Sequence, residues 1–257
     1  MAYAKINSVT NANMAKVNSA AKAALGKIAS IDAPSAGFAD TYSMNFDGTD
    51  DYITADGAAG TITGDLGSVS LWAKLETYAY TETMFWLTTS EDASGVNNYV
   101  WLFYHGGTNQ TRFQHKGGGV DGTCVAATAV ENNGWHHFAA TWDTGENQSA
   151  LYIDGSSIAT STASSDFTGT EEAIDFGKRR AHAWGEFEGN MNDIALFDDV
   201  LTAGEVTAIY NSGDPKDESS HSGLVAYWMM EQNTDDSSSN SNSITLVNGA
   251  DYESDVP

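Results

Sequence analysis

Four short stretches hold the side chains whose types and spacing bear on chemistry. FDGTDDYI, residues 46–53, sets Asp47, Asp50 and Asp51 around Gly48 between two apolar ends. Calcium takes roughly six to eight oxygen ligands from carboxylates, carbonyls and water, so this loop offers suitable donors and Gly48 lets the chain bend. No glutamate closes it at the spacing of an EF-hand, and Asp193 in NMNDIALF is the candidate fourth donor from a later strand. Without an ion the three carboxylates merely repel one another and face solvent. KRRAHAWGE, residues 178–186, joins Lys178, Arg179 and Arg180 to His182 and Trp184. Arginine beside an exposed indole holds an acidic sugar by paired hydrogen bonds and stacking, which makes Arg179, Arg180, His182 and Trp184 candidate glycan contacts. The competing expectation is that these cations neutralise carboxylates within or between subunits.

The other two stretches promise less. In GEFEG, Glu186 and Glu188 point to the same side of an extended chain, the first requirement for a carboxylate pair across a glycosidic bond. In WHHFAATWD, His136 and His137 are neighbours on a strand, so they face opposite ways and cannot share a metal. There is no G-x-S-x-G elbow, phosphate loop or Cys-x-x-Cys pair, and an enzyme is not expected.

The elements that position these residues are strands. SVSLWAKL (68–75), NYVWLFYH (98–105), WHHFAATWD (135–143) and SALYIDG (149–155) are short, rich in β-branched and aromatic residues, and bounded by Gly, Asn, Asp and Ser. Asp154-Gly155 predicts a two-residue hairpin turn, because both turn positions need positive φ. One helix is expected from Thr202 to Asn211, with Thr202 and Glu205 as its capping box, Gly213 as its terminator, and Val206, Ile209 and Tyr210 facing inward. Trp72, Trp101, Trp135, Trp142 and Trp228 sit inside strand patterns and are expected in the core rather than as sugar platforms. The pattern is all-β: an antiparallel two-sheet jelly-roll sandwich with one short helix.

Residues 1–39 differ in kind. AKINSVTNANM, AKVNSAAKAAL and GKIASIDAP repeat lysine at 5, 16 and 27 and serine at 8, 19 and 30. An eleven-residue period fits a helix, in which Ile6, Val9, Met14, Val17, Leu25, Ile28 and Ile31 share one broad face that three copies could bury together. Short strand-turn units are the alternative. Either form is too small to stand alone, which implies a partner.

Charge sharpens the division. The 257 residues hold 11 basic and 35 acidic side chains, a net charge of −24. The arm carries +3 and the remainder −27. Such a body repels nucleic acid and anionic membranes, and neither is expected as a partner. Cys124 is the lone cysteine, so the fold depends on packing alone. The first residues lack the apolar run of an export signal, and no segment reaches 18 consecutive apolar residues.

In order, FDGTDDYI, SVSLWAKL, WHHFAATWD, LYIDGSSI and FEGNMNDIALFDDVLTAGEVTAIYNSG resemble the LamG-like members of the concanavalin A-like lectin/glucanase superfamily. The resemblance spans residues 41–213 and implies a jelly roll, Trp-His-His as a usual strand start, and often a structural calcium. It leaves open whether the domain is a lectin, hydrolase, adhesin or structural module. The aspartate and further glutamate of its glycosidases are missing beyond Glu188. Within the tail, residues 214–257, LVAYWMMEQNTDDSSSNSNSITLVNGADY resembles the segment that usually precedes the FDG motif, and the tail is expected to fold back onto its own sheet. The arm, with a tail ending in DVP, resembles virion structural proteins of marine tailed bacteriophages. That resemblance implies a non-enzymatic decoration or fibre-like subunit on the virion surface, bound to other virion proteins through residues 1–33, with a trimer favoured. A glycan-binding adhesin or lectin module is the alternative.

Overall fold

A computed structural model of the chain describes residues 40–257, apart from 79, 90–96, 128–129, 131–133, 164, 181 and 183. The repeat arm and every expectation placed on residues 1–39 lie outside the described residues. Strands follow in chain order: β1 Ser43–Asp47, β2 Tyr52–Thr54, β3 Leu66–Leu75, β4 Thr81–Thr88, β5 Tyr99–His105, β6 Gln110–Gly117, β7 Val120–Val125, β8 Trp135–Asp143, β9 Gln148–Ile153, β10 Ser156–Ser161, β11 Ala173–Phe176, β12 Glu188–Phe197, β13 Leu224–Trp228, β14 Thr245–Val247 and β15 Asp251–Glu253. One helix, α1 Ala203–Tyr210, follows β12.

Two antiparallel sheets result. One runs β10-β9-β8-β3-β12-β1-β15 with β13 also paired to β12; the other runs β14-β2-β11-β4-β5-β6-β7. This is the expected jelly-roll sandwich. FDGTDDYI therefore crosses between sheets, since β1 belongs to the first and β2 to the second. The tail reaches both: β13 lies on β12, β14 on β2 and β15 on β1.

Period-two patterning explains the core. Phe85 and Leu87 of β4, and Val100, Leu102 and Tyr104 of β5, turn inward against Leu71, Phe138, Leu151 and Trp142 of the facing sheet. The alternate residues of those strands are also apolar and buried: Trp86, Trp101 and Phe103 form a separate cluster on the outer face. A strand apolar on both faces needs cover on both, and the β11–β12 loop supplies it. Asp154 and Gly155 take φ of 49° and 71° at the β9–β10 turn, as the hairpin requires.

Two local expectations are corrected. The helix closes at Asn211 as expected, but Asn211 and not Gly213 is its terminator: Asn211 takes φ 46° as C-cap, and its Nδ2 donates to the Asp214 carbonyl at 2.9 Å. Trp101 is buried away from the main core, while Trp135 is only half-buried and donates from Nε1 to Asp255 at 3.0 Å. Thr202 and Glu205 do form a capping box, and Val206 and Ile209 are buried. No helix among the described residues is long and apolar enough to cross a membrane.

Candidate functional site

The β11–β12 loop carries Lys178, Arg179 and Arg180 and is tied down at both ends. Phe187 N donates to Gly177 O at 2.8 Å, and Thr83 N donates to Gly185 O at 3.0 Å. Gly185 has φ of 97°, a conformation a side chain would strain. Within this loop the three cations meet different fates. Lys178 Nζ pairs with Glu186 at 3.1 Å. Arg180 donates from Nε to Asp175 at 2.7 Å and from Nη1 and Nη2 to Asp56 at 2.8 and 2.6 Å. These two neutralise carboxylates, so Arg180 points away from its neighbours in the candidate glycan set.

Arg179 turns onto the outer face of the sheet. Its guanidinium carbon lies 4.2 Å from the ring centre of Trp101, 4.0 Å from that of Trp184 and 5.1 Å from that of Trp86. The rings come from β5, the loop and β4, and Trp101 stacks on Phe103 at 3.6 Å. Burial, which disfavours the charge, pulls the guanidinium down to about 10. His182 completes the corner, 5.9 Å from Trp86 and 6.2 Å from Trp184. Burial and the Arg179 charge hold its pKa below the usual histidine value. Trp184 itself is 51% exposed. The structure thus brings Arg179, His182 and Trp184 together and separates Arg180 from them.

Beside Trp184 opens a groove of about 420 Å³ lined by Tyr80, Glu82, Trp184, Glu186 and Glu188. Tyr80 is 74% exposed. Glu82 is buried and bound from both sides: Thr77 Oγ1 donates to Oε1 at 2.9 Å and Glu188 N to Oε2 at 3.3 Å. Burial pushes its carboxyl up to about 7. Two exposed rings flanking hydrogen-bond acceptors suit a sugar, whose apolar face stacks while its hydroxyls donate. A larger hollow of about 640 Å³ over β8–β10 is lined by Asp143, Gln148 and Tyr152 but by no exposed aromatic ring. Tyr80 and Glu82 escaped the sequence reading because nothing local to β4 signals a groove.

The aspartate loop is resolved into separate roles. One oxygen each of Asp47, Asp50 and Asp51 come within 4.8 Å of one another. Asp51 is buried and accepts from Asp47 N at 3.1 Å and from Gly249 N at 2.6 Å, tying the tail to the loop. Asp47 accepts from Thr49 N at 2.8 Å, as turn aspartates do. Asp193 does not join them. Asp47 pairs with Glu188 across β1 and β12, so Asp193 lies five residues further along β12, on the order of 17 Å at strand rise. There its Oδ1 accepts from Tyr227 Oη at 2.6 Å, and burial raises its pKa well above the usual range. The two histidines part as expected: His136 Nδ1 meets Asp154 at 2.8 Å, while His137 is buried with Nε2 2.8 Å from Ser70 Oγ.

A family model described as the concanavalin A-like lectin/glucanases superfamily matches residues 47–207. The chain belongs to this family. Comparison with curated proteins gives no match. Among solved structures, the family member resembles a heptameric SAP-like pentraxin from Limulus polyphemus at 14% identity and TM-score 0.57, covering 83% of this chain and 94% of that one. It also resembles the CBM40 of Ruminococcus gnavus IT-sialidase at 18% identity and TM-score 0.56, covering 65% and 96%. Domain 4 of AbnA, an extracellular arabinanase from Geobacillus stearothermophilus in complex with arabinotriose, matches at 22% identity and TM-score 0.51, covering 65% and 76%. Likeness at these identities concerns the fold.

Proposed function

We propose that this lectin/glucanase-family domain binds carbohydrate, with Trp184 and Tyr80 as the stacking walls of the groove and Glu186 and Glu188 as acceptors for sugar hydroxyls. The observation that carries the reading is Trp184. An indole 51% exposed is anchored on one side by a buried guanidinium and borders a groove on the other. A large aromatic held rigid and wet is a binding device rather than a core residue. Neighbours of the same fold include the CBM40 of a sialidase and an arabinanase domain complexed with arabinotriose, which supports the same class of ligand. The particle role expected from the arm rests on residues 1–39 and the charge division, and the groove favours ligand binding as the task of the body. A glycan array with the full chain tests the proposal. Binding that Trp184→Ala abolishes is expected; an array without hits would overturn it.

A further inference from the structure

We propose that the sugar taken by this groove carries an amine, and that Glu188 receives its ammonium. The inference rests on the carbohydrate reading and names the class of its ligand. Every charged side chain lining the groove is acidic: Glu82, Glu186 and Glu188. Two of them are engaged. Lys178 Nζ pairs with Glu186 at 3.1 Å, while Thr77 Oγ1 and Glu188 N donate to Glu82 at 2.9 and 3.3 Å. Burial also holds a proton on Glu82 until about pH 7, which leaves Glu188 as the groove's free charge. Glu188 is half-buried, and its carboxylate has no hydrogen-bond or ion-pair partner among the described residues. Gly48, on the same wall, makes room for it: a Cβ there would sit 2.8 Å from Glu188 Cβ and 3.2 Å from its Oε2. Residues 79, 181 and 183, which lie outside the described residues in the adjoining loops, are alanines and bring no charge.

Sugar hydroxyls meet such a carboxylate with neutral donors. An ammonium meets it with a charge-assisted bond, roughly twice as strong. Trp184 and Tyr80 keep their part, since the apolar face of the sugar stacks while the amine at its edge turns to Glu188. The acidic sugar expected from KRRAHAWGE finds no equivalent partner. Lys178 and Arg180 are paired with carboxylates, and Arg179, 5% exposed, lies against the Trp184 ring and does not line the groove. Arg179 does limit the attraction, because its charge stands 4.0 Å from the indole centre. Coulomb energy falls inversely with distance, so an ammonium about 3 Å from Glu188, and across the ring from Arg179, feels the carboxylate more strongly. The net charge of −27 on residues 40–257 acts in the same sense, drawing cations to the body and holding anions off.

The test presents the full chain with one oligosaccharide core that carries a hydroxyl, an amine or a carboxylate at each position of its terminal sugar in turn, and measures affinity by calorimetry. At about pH 6 and low salt the amine is charged and little screened. At least one amine form should bind about tenfold tighter than its hydroxyl counterpart, a difference matching one charge-assisted hydrogen bond, and the carboxylate form should bind weakest. Glu188→Gln should erase the preference for the amine, and Glu188→Asp, which withdraws the charge by one methylene, should keep only part of it. Glu146→Gln, which removes the same charge from the hollow over β8–β10, should leave the preference intact. A melting curve confirms that each variant folds, and Glu188→Asp carries the test should the Gln variant not fold. A preference that is absent in the wild type, survives both Glu188 variants, or falls equally in Glu146→Gln overturns the inference while leaving carbohydrate binding intact. Binding of none of the sugars overturns both.

Discussion

Glu82 gives the sharpest test of how the groove is held. It is 1% exposed beneath the groove, and burial pushes its carboxyl from the usual 4.5 up to about 7. Between those values the folded chain keeps a proton that the unfolded chain releases. Stability is therefore greatest below about pH 4.5 as far as this group is concerned, falls as pH rises towards about 7, and is flat beyond. At about 1.4 kcal/mol per pKa unit, the loss amounts to about 3 kcal/mol. Glu82→Gln removes the titration and keeps both bonds, its amide donating to Thr77 Oγ1 and its carbonyl accepting from Glu188 N. Wild type and variant should melt together near pH 4, and at pH 8 the variant should melt higher by roughly 6 to 12 °C for a domain of this size. Asp40 and Asp175, each raised by burial to about 6, add slope of the same sign to both proteins, so the difference between the two curves is the readout. Parallel curves from pH 4 to pH 8 would refute the reasoning.

Other residues give independent tests. Asp193 is buried with its pKa well above the usual range and Oδ2 unpartnered, so Asp193→Asn, which still accepts from Tyr227, should raise stability at pH 8 and change little at pH 4. Urea denaturation at the two values checks the sign. Asp51→Ala removes the acceptor for two backbone N–H groups that join the first loop to the tail, and should cost about 2 to 4 kcal/mol by urea titration. A cost below about 0.5 kcal/mol would mean the tail docks without it. Thr202→Ala breaks the capping box of the single described α-helix and should cost about 1 kcal/mol.

Much of the sandwich was legible because its strands obey simple rules. WHHFAATWD and SALYI became β8 and β9, and Asp154-Gly155 made their neighbour's turn, since local chemistry alone sets a two-residue hairpin. NYVWLFYH reads as apolar throughout, which marks a strand covered on both faces. What covers its outer face cannot be read locally, because the Arg179 loop follows about eighty residues later in the chain. For the same reason KRRAHAWGE announced a cationic and aromatic cluster but not its sorting. Arg179 and Arg180 have identical side chains, and only the buried Asp175 and nearby Asp56 decide which is neutralised. Asp193 failed as a partner for Asp47 because type and sheet were right but register was not: pairing of Asp47 with Glu188 leaves it at the other end. Tyr80 and Glu82 carried no signal of their own, since a groove between loops is a property of the assembled sheet.

Carbohydrate binding by this domain turns on an exposed indole, anchored by Arg179, that meets a sugar. Calorimetric titration of the full chain and of Trp184→Ala with the best glycan from an array measures that most directly. Saturable binding by the wild type is expected, weakened at least about tenfold by the substitution while the melting temperature stays within a few degrees. Saturable glycan binding that survives Trp184→Ala unchanged would place the site elsewhere on the domain and contradict it.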